Sequence, residues 1–132
     1  MTVASVENCI SFTLPSLPMS HNSLYQIIYS QRRVELKEEA RRWKSSSKAY
    51  VPRFQLRQPT SSIEIVCAFH YPFDYANGRP RRFDASNLLK LTIDTVAEKI
   101  GYDDSIFRFG SWAAINDTDE KVTITLREIP LL

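Results

Sequence analysis

Between Ser61 and Tyr71 the chain sets Ile63, Ile65, Cys67 and Phe69 on alternate positions, the period of a strand with one buried face. A loop follows from Pro72 to Pro80, with Asn77-Gly78 as its turn signal. From Ala85 to Ile100 the apolar period changes to that of a helix, and Gly101 is suited to stop it. Two further strand-like runs, Ile106 to Ile115 and Val122 to Ile129, flank a polar turn at Asn116-Asp117-Thr118-Asp119-Glu120, which is expected to join them as a hairpin. Strand, helix, strand and strand in this order commit the C-terminal half to a sheet with a helix packed on it.

The N-terminal half reads the same way. Cys9 to Leu14 is an expected strand, ended by Pro15 and Pro18. Leu24 to Tyr29 and Arg33 to Leu36 are two short strands joined at Ser30-Gln31. A helix is expected from about Lys37 to Ser47, with Leu36, Ala40, Trp43, Ser47 and Tyr50 on one stripe and Trp43 as a core anchor. Pro52 closes that segment. The whole order is β-β-β-α-β-α-β-β, an α+β or mixed α/β class with a single mixed sheet and two main helices. A chain of 132 residues fits one domain, 1–132, and neither repeats nor a linker divide it.

No apolar run approaches the roughly 18 residues of a membrane span, and the N-terminus has no basic start followed by a continuous apolar stretch, so neither a span nor a signal peptide is expected. Cys9 and Cys67 lie in expected strands, away from any zinc-ligand spacing, and read as buried free thiols of a cytoplasmic protein. His21 and His70 have no partner spacing either. Net charge is only +2, but it is unevenly distributed. Residues 1–93 carry 13 Lys and Arg against 7 Asp and Glu, whereas residues 94–132 carry 4 against 8. Basic residues gather between Gln31 and Arg57, including Arg32, Arg33 and Arg41. Such a run is either a solvated helix face or a surface for a polyanion.

The second helix is where chemistry concentrates. Leu89, Ile93, Val96 and Ile100 form the stripe expected to face the sheet, and Asn87, Lys90, Asp94 and Glu98 lie opposite. Leu88 and Leu91 flank the polar side, so a homodimer packed through them is expected. At the helix mouth Arg79, Arg81 and Arg82 precede Asp84, Ser86, Asn87 and Lys90, and Asp103-Asp104-Ser105 follows the helix end. Taken singly, Asp84 and Ser86 are ordinary N-cap residues, and Asp103-Asp104-Ser105 is an ordinary turn. Taken together, Asp84 and Asp104 can meet beside positive charge. Carboxylates held together repel unless a cation lies between them, and oxygen-only donors suit magnesium or manganese. Such a centre, flanked by cations that hold a nucleic-acid backbone, is what a magnesium-dependent phosphodiesterase needs.

The stretch from Arg81 to Ser105 resembles the RusA-type Holliday junction resolvases. Their signature is a basic run, D-x-D-N or D-x-x-N, L-x-K, a helix with a D-A-L-like step and a terminal D-D. Here it reads Arg-Arg-Phe-Asp84-Ala-Ser86-Asn87-Leu-Leu-Lys90, then Asp94-Thr-Val, then Tyr-Asp103-Asp104. Phe12-Thr-Leu-Pro15 and the Pro18 to Tyr25 segment, with Asn22 in its loop, are similar to the family's front end. The resemblance spans nearly the whole chain but is sharp only from Arg81 to Ser105.

The resemblance implies a small homodimeric nuclease that binds four-way DNA junctions and makes paired symmetric nicks with Mg²⁺, for which Mn²⁺ can substitute, in recombination and repair. Carried over by position, Asp84 and Asp104 hold the metal, with Asp103 beside them. Lys90 is the essential cation near the scissile phosphate, and Asn87 bonds the active-site loop or the DNA backbone. Asn22, Arg32, Arg33, Arg41, Arg79, Arg81 and Arg82 are the expected contacts to DNA. The departure is Ser86, where the best-studied family members carry an aspartate and other relatives a serine. A hydroxyl is a weaker, neutral ligand, which leaves Asp103 as the expected replacement and makes a non-catalytic junction binder the alternative. Asp94, roughly 10 Å along the helix axis from Asn87, is expected to be a poor substitute. A purely structural protein, with every polar group a cap, a turn or a wet face, is the third reading.

Overall fold

The structure is a computed structural model that describes residues 7–17, 25–28, 33–36, 38–81 and 85–131. Strand β1 is Cys9–Leu14, β2 Tyr25–Ile28 and β3 Arg33–Leu36; helix α1 is Glu38–Ser47. They are followed by strand β4 (Ser62–Tyr71), helix α2 (Ala85–Ile100), strand β5 (Phe109–Asn116) and strand β6 (Lys121–Ile129). The class is α+β, with one mixed four-stranded sheet in the order β1-β6-β4-β5. Strands β2 and β3 pair with each other as a separate antiparallel ribbon.

Strand β4 organises the sheet because its alternation leaves one face wholly apolar. Ile63, Ile65, Cys67 and Phe69 are fully buried there. Opposite them on β6 lie Val122, Ile124 and Leu126, in a register that pairs Ile65 with Leu126, Cys67 with Ile124 and Phe69 with Val122. Both helices cover this face, through Ala40 and Trp43 of α1 and Leu88, Leu91 and Val96 of α2. The Trp43 indole N–H donates to the Ser16 carbonyl at 3.0 Å, which fastens α1 beside the end of β1. The other face stays polar. Glu64 pairs with Arg127 at 2.8 Å, Ser11 with Thr125 at 2.9 Å, and His70 lies 3.0 Å from Asp117 and 3.3 Å from Thr123.

Four expectations change. The hairpin at Asn116 to Glu120 is absent, because β5 and β6 lie on opposite sides of β4, parallel and antiparallel to it. The connection instead crosses the end of β4, where the Asp117 N–H donates to the Tyr71 carbonyl at 3.0 Å. The strand expected from Ile106 begins only at Phe109, because Asp104–Ile106 forms a 3-10 turn. Tyr50 is more than half exposed and leaves the Trp43 stripe, since Lys48–Tyr50 is also a 3-10 turn and breaks the α-helical period. Cys9 is exposed, whereas Cys67 is buried, which pushes its thiol up to about 12. A thiol reagent should therefore modify Cys9 rapidly in the native protein and Cys67 only on unfolding. Mass spectrometry after a short pulse checks this, and two modified thiols under native conditions would contradict it.

The largest correction concerns the face of α2. Leu88 and Leu91 are buried, not surface residues awaiting a partner, while Leu89, Ile93 and Ile100 are only partly covered. The buried stripe runs through Leu88, Leu91, Thr92, Thr95 and Val96. Thr92 and Thr95 return their hydroxyls to the Leu88 and Leu91 carbonyls, both at 2.7 Å, so each presents a satisfied, apolar flank to the core.

Glu128 of β6 ties residues 57–61 and Asn8 to the sheet. It accepts from the Arg57 N–H at 2.9 Å, the Gln58 N–H at 3.0 Å, the Ser61 hydroxyl at 2.6 Å and the Asn8 amide at 2.8 Å. Burial pushes its carboxyl up, but these donors pull harder, and its pKa falls from 4.5 to about 2. A carboxyl lowered on folding stabilises above its unfolded pKa and loses that stability as pH falls from 4.5 toward 2. Glu128→Gln should lower stability by about 1–3 kcal/mol at neutral pH, with a smaller deficit near pH 3, in paired urea titrations. Among the described residues, no helix is long and apolar enough to cross a membrane.

Candidate metal and phosphate site

Helix α2 and the 3-10 turn after it bring the candidate residues together. Gly101 ends the helix with φ +84°, a left-handed conformation that a side chain would resist. Its N–H and that of Tyr102 both return to the Ala97 carbonyl, at 2.9 and 3.2 Å. The chain thus reverses and runs back beside α2. Asp103 then caps the 3-10 turn, accepting from the Ser105 N–H at 2.9 Å. Asp104, the first residue of that turn, is delivered alongside α2.

A cavity of about 440 Å³ results, lined by Ser86, Leu89, Lys90, Ile93, Asp94, Asp104 and Phe107. Ser86, Lys90 and Asp94 stand four residues apart and share one helix face. A second cleft of about 360 Å³ shares Asp94 and Asp104 with the first and adds Lys44, Glu98 and Asp103. The Asp94 carboxyl is raised above its usual range, first by burial; Asp104 and Glu98 push it further up, against Lys44 and Lys90. The site therefore has a half-buried carboxyl with a second beside it. A divalent ion between them would offset both the burial and the repulsion, and every available donor is an oxygen.

Of the residues expected from the sequence, the structure brings Ser86, Lys90 and Asp104 to one cavity. Asp103 lines only the neighbouring cleft, and its carboxyl is held below the usual range by the Ser105 N–H, then by the Ser105 hydroxyl and the Asp104 carboxyl. It serves as a cap, which disfavours it as the replacement for an aspartate at Ser86. Asp94, set aside from the sequence alone, lines the same cavity as Ser86, Lys90 and Asp104. Its distance along the helix from Asn87 does not keep it from the cavity, because Asp104 itself comes to lie beside the middle of the helix. The usable signal was the four-residue spacing of Ser86, Lys90 and Asp94.

The basic residues are more dispersed. Arg79 is exposed in the β4–α2 loop. Arg81 is largely covered, pairs with Glu120 at 2.7 Å and lies 5.7 Å from the ring centres of both Tyr71 and Tyr75. It clamps the loop, so the expectation that it grips phosphate requires an existing ion pair to open. Arg41 is exposed on α1, and Asn87 is half-buried near the start of α2. Lys44 and Lys48 hold Glu98, joining α1 to α2. Asp84, Arg82, Asn22, Arg32 and the Arg33 side chain lie outside the described residues. Among those described, no group of three or more His, Cys, Asp and Glu side chains is arranged to hold a metal.

Compared with known proteins, the chain matches no family model and no curated protein significantly.

Proposed function

We propose that this protein is a metal-dependent endodeoxyribonuclease of the RusA type, which nicks four-way DNA junctions in recombination and repair and works as a homodimer in the cytoplasm. The observation that carries this reading is the shared cavity of Asp94, Asp104, Lys90 and Ser86. Two acidic oxygen donors beside an ammonium fit a phosphodiester and a divalent cation together. Asp94 and Asp104, joined by Asp84 just before α2, would hold Mg²⁺ or Mn²⁺. When bound, such an ion supplies charge neutralisation at the phosphate and a more acidic water.

The chain's own groups do the rest. Lys90 places its ammonium where negative charge grows on the phosphate oxygens. The Ser86 hydroxyl, one turn before it, is positioned to donate to a phosphate oxygen. Arg79 and Arg41 offer exposed charge for neighbouring phosphates, contacts that orient DNA without reading its sequence. Leu89, Ile93 and Phe107 make the apolar wall of the cavity and strengthen its electrostatics by limiting water.

A second reading, a junction binder without cleavage, is favoured by one observation: Ser86 is a neutral donor on the wall where another carboxylate would complete the set. One experiment separates the two. The purified protein is incubated with a labelled four-way junction and with linear duplex of the same sequence, with Mg²⁺ or with chelator. Junction-selective nicking only with Mg²⁺ supports the nuclease. Junction binding without nicking supports the binder, and neither outcome on the junction removes both.

A further inference from the structure

The loop between β4 and α2 is built as a small, closely bonded hairpin that turns aromatic rings outward. Asp74 and Pro80 pair as an antiparallel bridge. The Tyr75 N–H donates to the Arg79 carbonyl at 2.7 Å, the Gly78 N–H to the Tyr75 carbonyl at 2.8 Å and the Arg81 N–H to the Phe73 carbonyl at 2.8 Å. Gly78, with φ +82°, permits the turn at its tip. Two contacts moor the hairpin to the end of β5 and the connection after it. The Phe73 N–H donates to the Asn116 side-chain carbonyl at 3.0 Å, and Arg81 pairs with Glu120.

Phe73 is 36% exposed and Tyr75 46%, and neither belongs to the core cluster. The rings of Tyr71 and Phe73 lie 5.1 Å apart, and the Arg81 guanidinium lies 5.7 Å from the ring centres of both Tyr71 and Tyr75. Tyr75 is thus backed by a cation on one face and left open on the other. The cation is itself held by Glu120, so the ring is fixed in advance and loses little freedom when something stacks on it. Two large rings shown to water on such a loop add nothing to the core.

We infer that this hairpin is a stacking platform for an unpaired nucleobase of the bound DNA, with the open face of Tyr75 as its seat and Phe73 beside it. Three features select a base. First, every base has a flat π face that an aromatic ring accepts whatever the sequence. Second, Arg79 is exposed on the same hairpin and supplies charge for the backbone that carries the base. Asp74 falls between Phe73 and Tyr75, so alternation sets its carboxylate on the side away from the rings. Third, α2 starts just after the hairpin. Arg81 and Ser86 are separated by at most about 18 Å of chain, so a strand in the Ser86 cavity can lay a base a few nucleotides away on Tyr75. Bases inside a continuous duplex are paired and stacked on one another, whereas those of a single strand or a branch point are free to use the ring. The platform rests on the DNA-binding part of the proposed function and supplies a reason for preferring branched to linear DNA.

Binding in chelator, to oligothymidine, to a four-way junction and to linear duplex, tests it. Tyr75→Ala should weaken binding to oligothymidine and to the junction by about tenfold and leave the duplex unchanged. Tyr75→Leu, which refills the space without a π face, should act like Tyr75→Ala, and Tyr75→Phe should bind like the wild type. Stacking neutralises no phosphate, so the slope of log K against log salt should be the same in Tyr75→Ala as in the wild type. In Arg79→Ala it should fall by about 0.7 on the single strand. Indifference to both Tyr75→Ala and Tyr75→Leu would overturn the inference and leave the ring to a protein partner. Equal losses on duplex and single strand, or a loss in Tyr75→Phe, would overturn it as well. Absence of nicking with Mg²⁺ would remove the nuclease and leave the platform standing, whereas intact nicking with binding indifferent to Tyr75 would remove the platform alone.

Discussion

Leu91→Glu is expected to leave the protein unfolded at room temperature, and Leu91→Ala and Leu88→Ala each to lower its stability by about 2–5 kcal/mol. Both leucines sit on the buried stripe of α2, in one core cluster with Ile63, Ile65 and Phe69 of the central strand. Truncation removes apolar contact and leaves a cavity that a sheet–helix interface cannot close. A glutamate at position 91 would also bury an unpaired charge, against a total stability of only about 5–15 kcal/mol for a domain. Leu89→Ala should be milder, because Leu89 is only partly covered. Urea titration followed by circular dichroism checks the series. A cooperatively folded Leu91→Glu, or a larger loss at Leu89 than at Leu91, would mean that α2 presents its other face to the sheet.

Asp104→Asn is expected to reduce Mg²⁺-dependent junction cleavage by about 10²-fold or more, on the scale of losing one preorganised electrostatic group. Binding of the junction in chelator should be retained or tightened, because a negative charge beside the phosphate is removed. Asp94→Asn should match it, since both carboxyls line the same cavity. Asp103→Asn should lose much less, because that carboxyl caps the Ser105 N–H. The melting temperature without metal gives an independent reading. Removing Asp104's charge relieves the repulsion that helps to raise the Asp94 carboxyl, so the variant should melt at or above the wild-type temperature. Quantified nicking of a labelled junction tests the ranking. Equal losses at Asp103 and Asp104, or full activity in Asp94→Asn, would break the assignment of roles.

How much could be read in advance follows from which forces are local. The bounds of α2, Ala85–Ile100, were legible because the apolar period stops at a glycine whose positive φ ends the helix. The buried face of β4 was legible because alternation is a property of neighbouring residues. The buried face of α2 was not, because Thr92 and Thr95 count as polar until their hydroxyls are seen to bond within the helix. Sheet order was hidden for a different reason. The polar turn between β5 and β6 looks like a hairpin, and only the pairing of both strands with β4 opens it. At the site, Lys90 and Asp104 followed from the motif. The place of Asp94 in the cavity did not, because it depends on where the chain runs after Gly101.

The metal itself can be sought directly. Crystals grown in chelator and soaked in Mn²⁺ would be measured at the manganese absorption edge. The expected result is one anomalous peak within about 2.5 Å of carboxylate oxygens from Asp104 and from Asp94 or Asp84, on the cavity side of α2 and near Lys90. No peak at saturating Mn²⁺, or a peak elsewhere with Asp104 uncoordinated, would contradict a metal-dependent phosphodiesterase site in this protein.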